Sequence, residues 1–79
     1  MELIIIGPTH KMTTKVAWLE VNTTVGNFVI QPEHAPTVLI LEANKALTYC
    51  LTSGKQESRN LPGGIVEITP TSATIVVYE

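Results

Sequence analysis

The groups that this 79-residue chain could use for chemistry are seven Glu, two His, one Cys and five Lys plus Arg, with no Asp. Catalysis by paired carboxylates needs two acids held across a reacting bond. Here the acids stand singly, and Glu20, Glu57 and Glu67 fall at positions of alternating segments that read as solvent-facing. His10 and His34 are 24 positions apart, and no Cys, Asp or further His completes a zinc-like spacing. Cys50 has no neighbouring base and no helix N-terminus to activate it, and a hydrolase pairing it with His34 lacks an acid to orient the base. His34 lies between Pro32 and Pro36 in a rigid turn, where an imidazole ordinarily bonds a local carbonyl. The pair Gly63-Gly64 precedes a strand-like run and lacks a following Lys-Ser/Thr, so a positive φ or a close backbone approach explains it better than a phosphate loop. No catalytic residue, metal site or cofactor is therefore expected, and the expected function is that of a shaped surface.

The elements that must present such a surface are strands. Apolar residues recur with period two or in short runs, and nowhere at helical spacing over ten or more positions. Leu3 to Ile6 reads as a first strand ending at Gly7-Pro8. Val16 to Val21 reads as a second, with Ala17, Leu19 and Val21 on one face and Trp18 and Glu20 on the other. Asn22 to Asn27 reads as a hairpin loop into Phe28-Val29-Ile30. Val38 to Leu41 is apolar on both faces, which predicts a central or sandwiched strand. Leu47 to Leu51 turns through Thr52 to Lys55 into the polar run Gln56 to Asn60, expected near a sheet edge. Ile65 to Ile68 and Ala73 to Tyr78 close the pattern. The fold class expected is all-β, a two-sheet β-sandwich of about eight to ten short strands in a single domain, residues 1–79.

Composition narrows the partners. The net charge is -2, 44% of residues are hydrophobic and 15% charged. Without a Lys/Arg cluster there is no patch for nucleic acid or an anionic membrane surface. No stretch approaches the roughly 20 apolar residues of a membrane-spanning helix, and the N-terminus has neither the charge nor the length of a secretory signal. One Cys excludes an internal disulfide, which suits a reducing compartment. A domain this short buries only about 60 to 65% of its unfolded surface, so a larger assembly is expected to contribute to its stability.

The string Gly26-Asn27-Phe28-Val29-Ile30-Gln31-Pro32-Glu33-His34-Ala35-Pro36 resembles the most characteristic segment of the epsilon subunit of F-type ATP synthases, and Pro62-Gly63-Gly64-Ile65-Val66-Glu67-Ile68 resembles that family's Gly-Gly-apolar-apolar-Glu-Val strand. Leu3 to Thr9, Val16 to Val21 and Ala73 to Tyr78 are similar to its first, second and closing strands, so the resemblance spans the chain. It implies a non-catalytic rotor subunit of the central stalk, coupling the gamma shaft to the c ring of a proton-translocating ATP synthase. By family position, Val25, Gly26, Asn27 and Phe28 are expected to face the c ring, and His34, Ala35, Pro36 and Thr37 the gamma subunit. The implied location is peripheral, on the cytoplasmic face of the inner (plasma) membrane. Two departures stand out. Glu33 occupies a glycine position, so its backbone must avoid a positive φ or carry strain, and Asn27 replaces an acidic or similar residue at the hairpin tip. The chain stops at Glu79, where the family continues into a helical hairpin, so the inhibitory, nucleotide-sensing arm is expected to be missing. The rival expectation is a stand-alone sandwich adaptor that binds a peptide by strand addition along Gln56 to Asn60.

Overall fold

The computed structural model describes residues 1–78; Glu79, where the sequence reading ends the sandwich, lies outside them. Eight strands form: β1 (Glu2–Ile6), β2 (Lys11–Thr23), β3 (Gly26–Ile30), β4 (Thr37–Leu41), β5 (Lys45–Leu51), β6 (Gln56–Leu61), β7 (Gly64–Ile68) and β8 (Ser72–Val77). The fold is all-β, as the period-two pattern predicts.

Strand β2, 13 residues long, organises the molecule. Its first part pairs antiparallel with β1, from Glu2 opposite Lys15 to Ile6 opposite Lys11, and its second part pairs with both β3 and β5. Beyond β1 follow β8, parallel to it, then β7 and β4. Hydrogen bonding thus runs continuously through all eight strands in the order β1-β8-β7-β4-β2-β5-β6, with β3 beside β2. The ribbon doubles over one core. Leu41, Leu3, Ile5, Val66, Ile68, Ala73 and Ile75 come from the β4-β7-β8-β1 layer, and Val16, Leu19, Val21, Ile30, Leu47 and Tyr49 from the β3-β2-β5 side. Both sets alternate along their strands, because successive side chains in a strand point to opposite faces.

Four details correct the sequence reading. Ala17 is exposed and Val16 is buried, because β2 carries a bulge: Val16 stands opposite Leu51 and Trp18 opposite Cys50, so Ala17 is the extra residue and the alternation resets across it. Asn22 to Asn27 is no loop. The strands continue to Thr23 and from Gly26, and only Thr24-Val25 turn. Buried Thr23 closes that turn, its hydroxyl donating to the Gly26 carbonyl at 2.8 Å and accepting from the Val25 amide at 3.2 Å. Glu57 faces Tyr49 across β5–β6 and accepts the phenol's hydrogen bond at 3.1 Å, so it stands on the core side at the rim rather than on the solvent face. Finally, β4 is not sandwiched. It pairs with β7 along its length but with β2 only through Leu41 and Thr23, and Val38 and Ile40 remain exposed. The polar strand β6 ends the sheet path and pairs only with β5, as expected of an edge.

Candidate docking surfaces

The chemistry-bearing residues stay dispersed. Cys50 is buried in β5, its thiol directed to the Leu51 carbonyl at 3.5 Å. His10 shares a 2.7 Å hydrogen bond with its neighbour Thr9. His34 donates from Nδ1 to the Ala35 carbonyl at 2.8 Å, and the Thr37 hydroxyl donates to the same carbonyl at 2.9 Å. One oxygen so holds both ends of the His34–Thr37 turn, between Pro32 and the strand that starts at Thr37. Among the described residues no three His, Cys, Asp or Glu cluster at metal-binding distance, and no helix is long and apolar enough to cross a membrane.

Glu33 takes the strained alternative, with φ at 69°. Its amide donates to the Pro70 carbonyl at 2.8 Å, which anchors this connection to the β7–β8 turn and holds the left-handed conformation in place. Gly63 and Gly64 meet both demands read from their sequence. Gly63 has φ at 122°, and a Cβ on Gly64 would collide with the Val76 carbonyl of β8.

The residues expected at the two interfaces lie at opposite ends of β4. Thr23 pairs with Leu41, and the Thr24 amide donates to the Ile40 carbonyl at 3.2 Å, so the β2–β3 tip adjoins the C-terminal end of the strand. The His34–Thr37 turn feeds its N-terminal end, roughly 13 Å away at the rise of a β-strand. At the tip Val25 is 78% exposed and Phe28 is 37% exposed. Asn27 is tied down, donating to the Asn22 side chain at 3.1 Å while Asn22 donates to the Ala46 carbonyl at 3.2 Å. The tip is an apolar knob flanked by a neutral amide pair.

A third surface joins these two, and sequence reasoning missed it. Residues directly opposite on paired strands share a face. Across β4, β7, β8 and β1 the register aligns Ile40, Ile65, Val76 and Ile6 in one row and Val38, Glu67, Thr74 and Ile4 in the next, all away from the core. Val38, Ile40, Ile65 and Val76 are 65%, 51%, 40% and 48% exposed. On the opposite outer face the corresponding rows are Val29, Glu20, Thr48, Ser58 and Asn27, Asn22, with Thr48 and Ser58 bonded through their hydroxyls at 3.1 Å. The first outer face is mostly apolar, and the second is mixed, with Val29, Trp18 and Cys50 among its polar residues. The apolar run at Val38 to Leu41 carried the signal. Such a run predicts burial inside the fold, whereas here its second apolar face stays open to solvent.

At the end of the apolar face near the turn lies an open depression of about 380 Å³, lined by Pro36, Thr37, Val38, Glu67, Ile68 and Thr69. Glu67 is exposed and makes no ion pair; the salt bridge among the described residues is Lys55–Glu57 at 3.7 Å, on the far β5–β6 hairpin.

Among curated proteins no sequence matches the chain. The fold is similar to a chain in the cryo-EM structure of the Euglena gracilis mitochondrial ATP synthase, OSCP/F1/c-ring in rotational state 1, with TM-score 0.85 and 21% identity over 98% of this chain and 49% of that one. It is also similar to a chain in the central stalk/c-ring structure of the Tetrahymena thermophila mitochondrial ATP synthase, with TM-score 0.83 and 17% identity over 100% of this chain and 63% of that one. The chain thus spans about half of the first neighbour's length and less than two thirds of the second's. Residues 1–79 match the family described as ATP synthase, Delta/Epsilon chain, beta-sandwich domain, and the chain belongs to that family.

Proposed function

We propose that the chain is a non-catalytic coupling element of the central stalk of a proton-translocating F-type ATP synthase, held by the gamma shaft and seated on the c ring. The observation that carries this reading is the row of four exposed Ile and Val residues on one outer face, where the other face mixes Val29 and Trp18 with Glu20, Asn22, Thr48 and Ser58. Contiguous apolar patches of a few hundred Å² on small proteins mark interaction sites. In this reading the β4-β7-β8-β1 face, continuous with His34, Ala35, Pro36 and Thr37, takes the shaft, and the Val25-Gly26-Asn27-Phe28 tip takes the ring. Strand β4 links them. Load applied at the tip enters β4 at Ile40 and Leu41 and passes into β7 through the β4–β7 ladder, from Leu41 opposite Gly64 to Thr37 opposite Ile68. A hydrogen-bonded ladder resists such shear without any chemistry of its own. The protein would then be peripheral to the membrane, on the side that carries the catalytic head.

The test is association with the gamma subunit of the same synthase. The chain is expected to co-elute with it, and Ile40→Glu, which puts a charge on the apolar row, should weaken the complex at least about tenfold, since burying one large aliphatic side chain contributes roughly 1.5–3 kcal/mol. Absence of any complex at micromolar concentration refutes the reading. A peptide adaptor is the second reading. The outer edge of β6, which pairs only with β5, supports it, and a peptide that protects β6 amides from hydrogen exchange would favour it.

A further inference from the structure

We propose that the depression between β4 and β7 receives one arginine or lysine side chain of the stalk subunit docked on the apolar face, with Glu67 as its counter-charge; the inference rests on the docking proposed above. Glu67 is the acid in the two apolar rows, flanked in its own row by Val38 and Thr74. Nothing among the described residues satisfies it. It makes no ion pair among the described residues, and Lys11 and Lys15 of β2 stand three strands across the sheet, roughly 14 Å at the spacing of paired strands.

A carboxylate buried under a partner without a counter-charge costs far more than the surrounding apolar contacts return. A partner that fits this face must therefore bring a cation to that position. The depression has the shape for one. Pro36 and Val38 offer apolar walls for an aliphatic stem, and Glu67 offers the ionised acceptor for its head. The Thr37 hydroxyl donates to the Ala35 carbonyl, which leaves its oxygen free to accept a second hydrogen bond from the cation beside Glu67. The continuity of the depression with the His34–Thr37 turn and with the apolar row places this contact inside one docking surface.

The experiment measures association of the full chain with the gamma subunit at low and high salt for the wild type, Glu67→Gln, Ile40→Glu and a control, Glu20→Gln, on the polar face. Glu67→Gln should keep the melting temperature of the isolated chain, weaken the complex by about thirtyfold or more and flatten its salt dependence, while Glu20→Gln leaves the affinity unchanged. Glu67→Gln binding within threefold of wild type, with Ile40→Glu disrupting the complex, overturns the cation site and leaves the docking face standing. Ile40→Glu binding like wild type removes the face and the cation site together.

Discussion

Replacing Gly64 by Ala isolates a steric demand that the sequence shows only as a glycine pair. Gly64 opens β7, opposite Leu41 of β4 and Val77 of β8. Its φ lies outside the left-handed region, so an alanine is conformationally acceptable there. The obstacle is space. A Cβ would overlap the Val76 carbonyl oxygen and lie 3.2 Å from both the Val76 carbonyl carbon and the Val77 Cα, all backbone atoms of the adjacent strand. No rotamer change can relieve that. The β7 and β8 backbones must part at this end, at about 1 kcal/mol net for each ladder hydrogen bond loosened, plus roughly 1–3 kcal/mol for overpacking around Val66 and Ile75. Alanine returns about 0.4–1 kcal/mol by restricting the unfolded chain. The expected loss is about 2–4 kcal/mol, out of a stability of about 4–12 kcal/mol for a chain of this length.

At 4–8 °C per kcal/mol for a small domain, thermal denaturation followed by circular dichroism should show a melting temperature lower by roughly 10–30 °C. Gly26→Ala is the matched control. There φ is 135° and nothing lies within 4 Å of an added Cβ, so conformational strain is the whole cost, about 1–2 kcal/mol. Gly64→Ala melting no lower than Gly26→Ala, or within about 3 °C of wild type, would refute the argument that close backbone approach explains this glycine.

Glu33→Gly should raise stability by about 0.5–1 kcal/mol, because release of the strain at φ 69° exceeds the entropy that glycine adds to the unfolded chain; a lower melting temperature than wild type would show the conformation to be unstrained. Tyr49→Phe should cost about 0.5–1.5 kcal/mol in urea unfolding through loss of the hydrogen bond to Glu57, with the m value unchanged; a neutral result would mean that water replaces the contact.

Strand existence was legible in the chain where alternation was clean, as in Leu47, Tyr49 and Leu51, because period two has no other common source. The failures have specific causes. The bulge at Ala17 left no mark in residue type, since the residues around it are apolar on either phase, so the reset of alternation had to come from the pairing with β5. The tight turn after Thr23 was hidden because Thr24-Val25 is not a usual turn pair; a buried hydroxyl bonded within the turn takes the place of the Asn-Gly signal. Of the candidate surfaces, the His34–Thr37 turn and the Val25–Phe28 tip rest on resemblance alone. The apolar face was not legible, since a strand apolar on both sides reads the same whether its second face meets its own sheet or another protein.

That ambiguity bears on how so small a sandwich can hold an apolar face in water. Covering the remaining exposed parts of Val38, Ile40, Ile65 and Val76 contributes about 1 kcal/mol each, a sum comparable with the lower end of the chain's own stability. A partner that binds only the folded state raises its stability by the same linkage, so fold and assembly support each other at this face. The same row that invites a partner also invites another copy. Glu67 sets the discrimination. Two copies packed face to face about a twofold axis would cover two Glu67 carboxylates with a surface that offers neither a counter-charge, and burial without one opposes the contact. A partner with a cation at that point does not meet that cost. The carboxylate thus weakens every association but the one that answers its charge, which is how a single unfavourable group on an apolar surface turns stickiness into specificity.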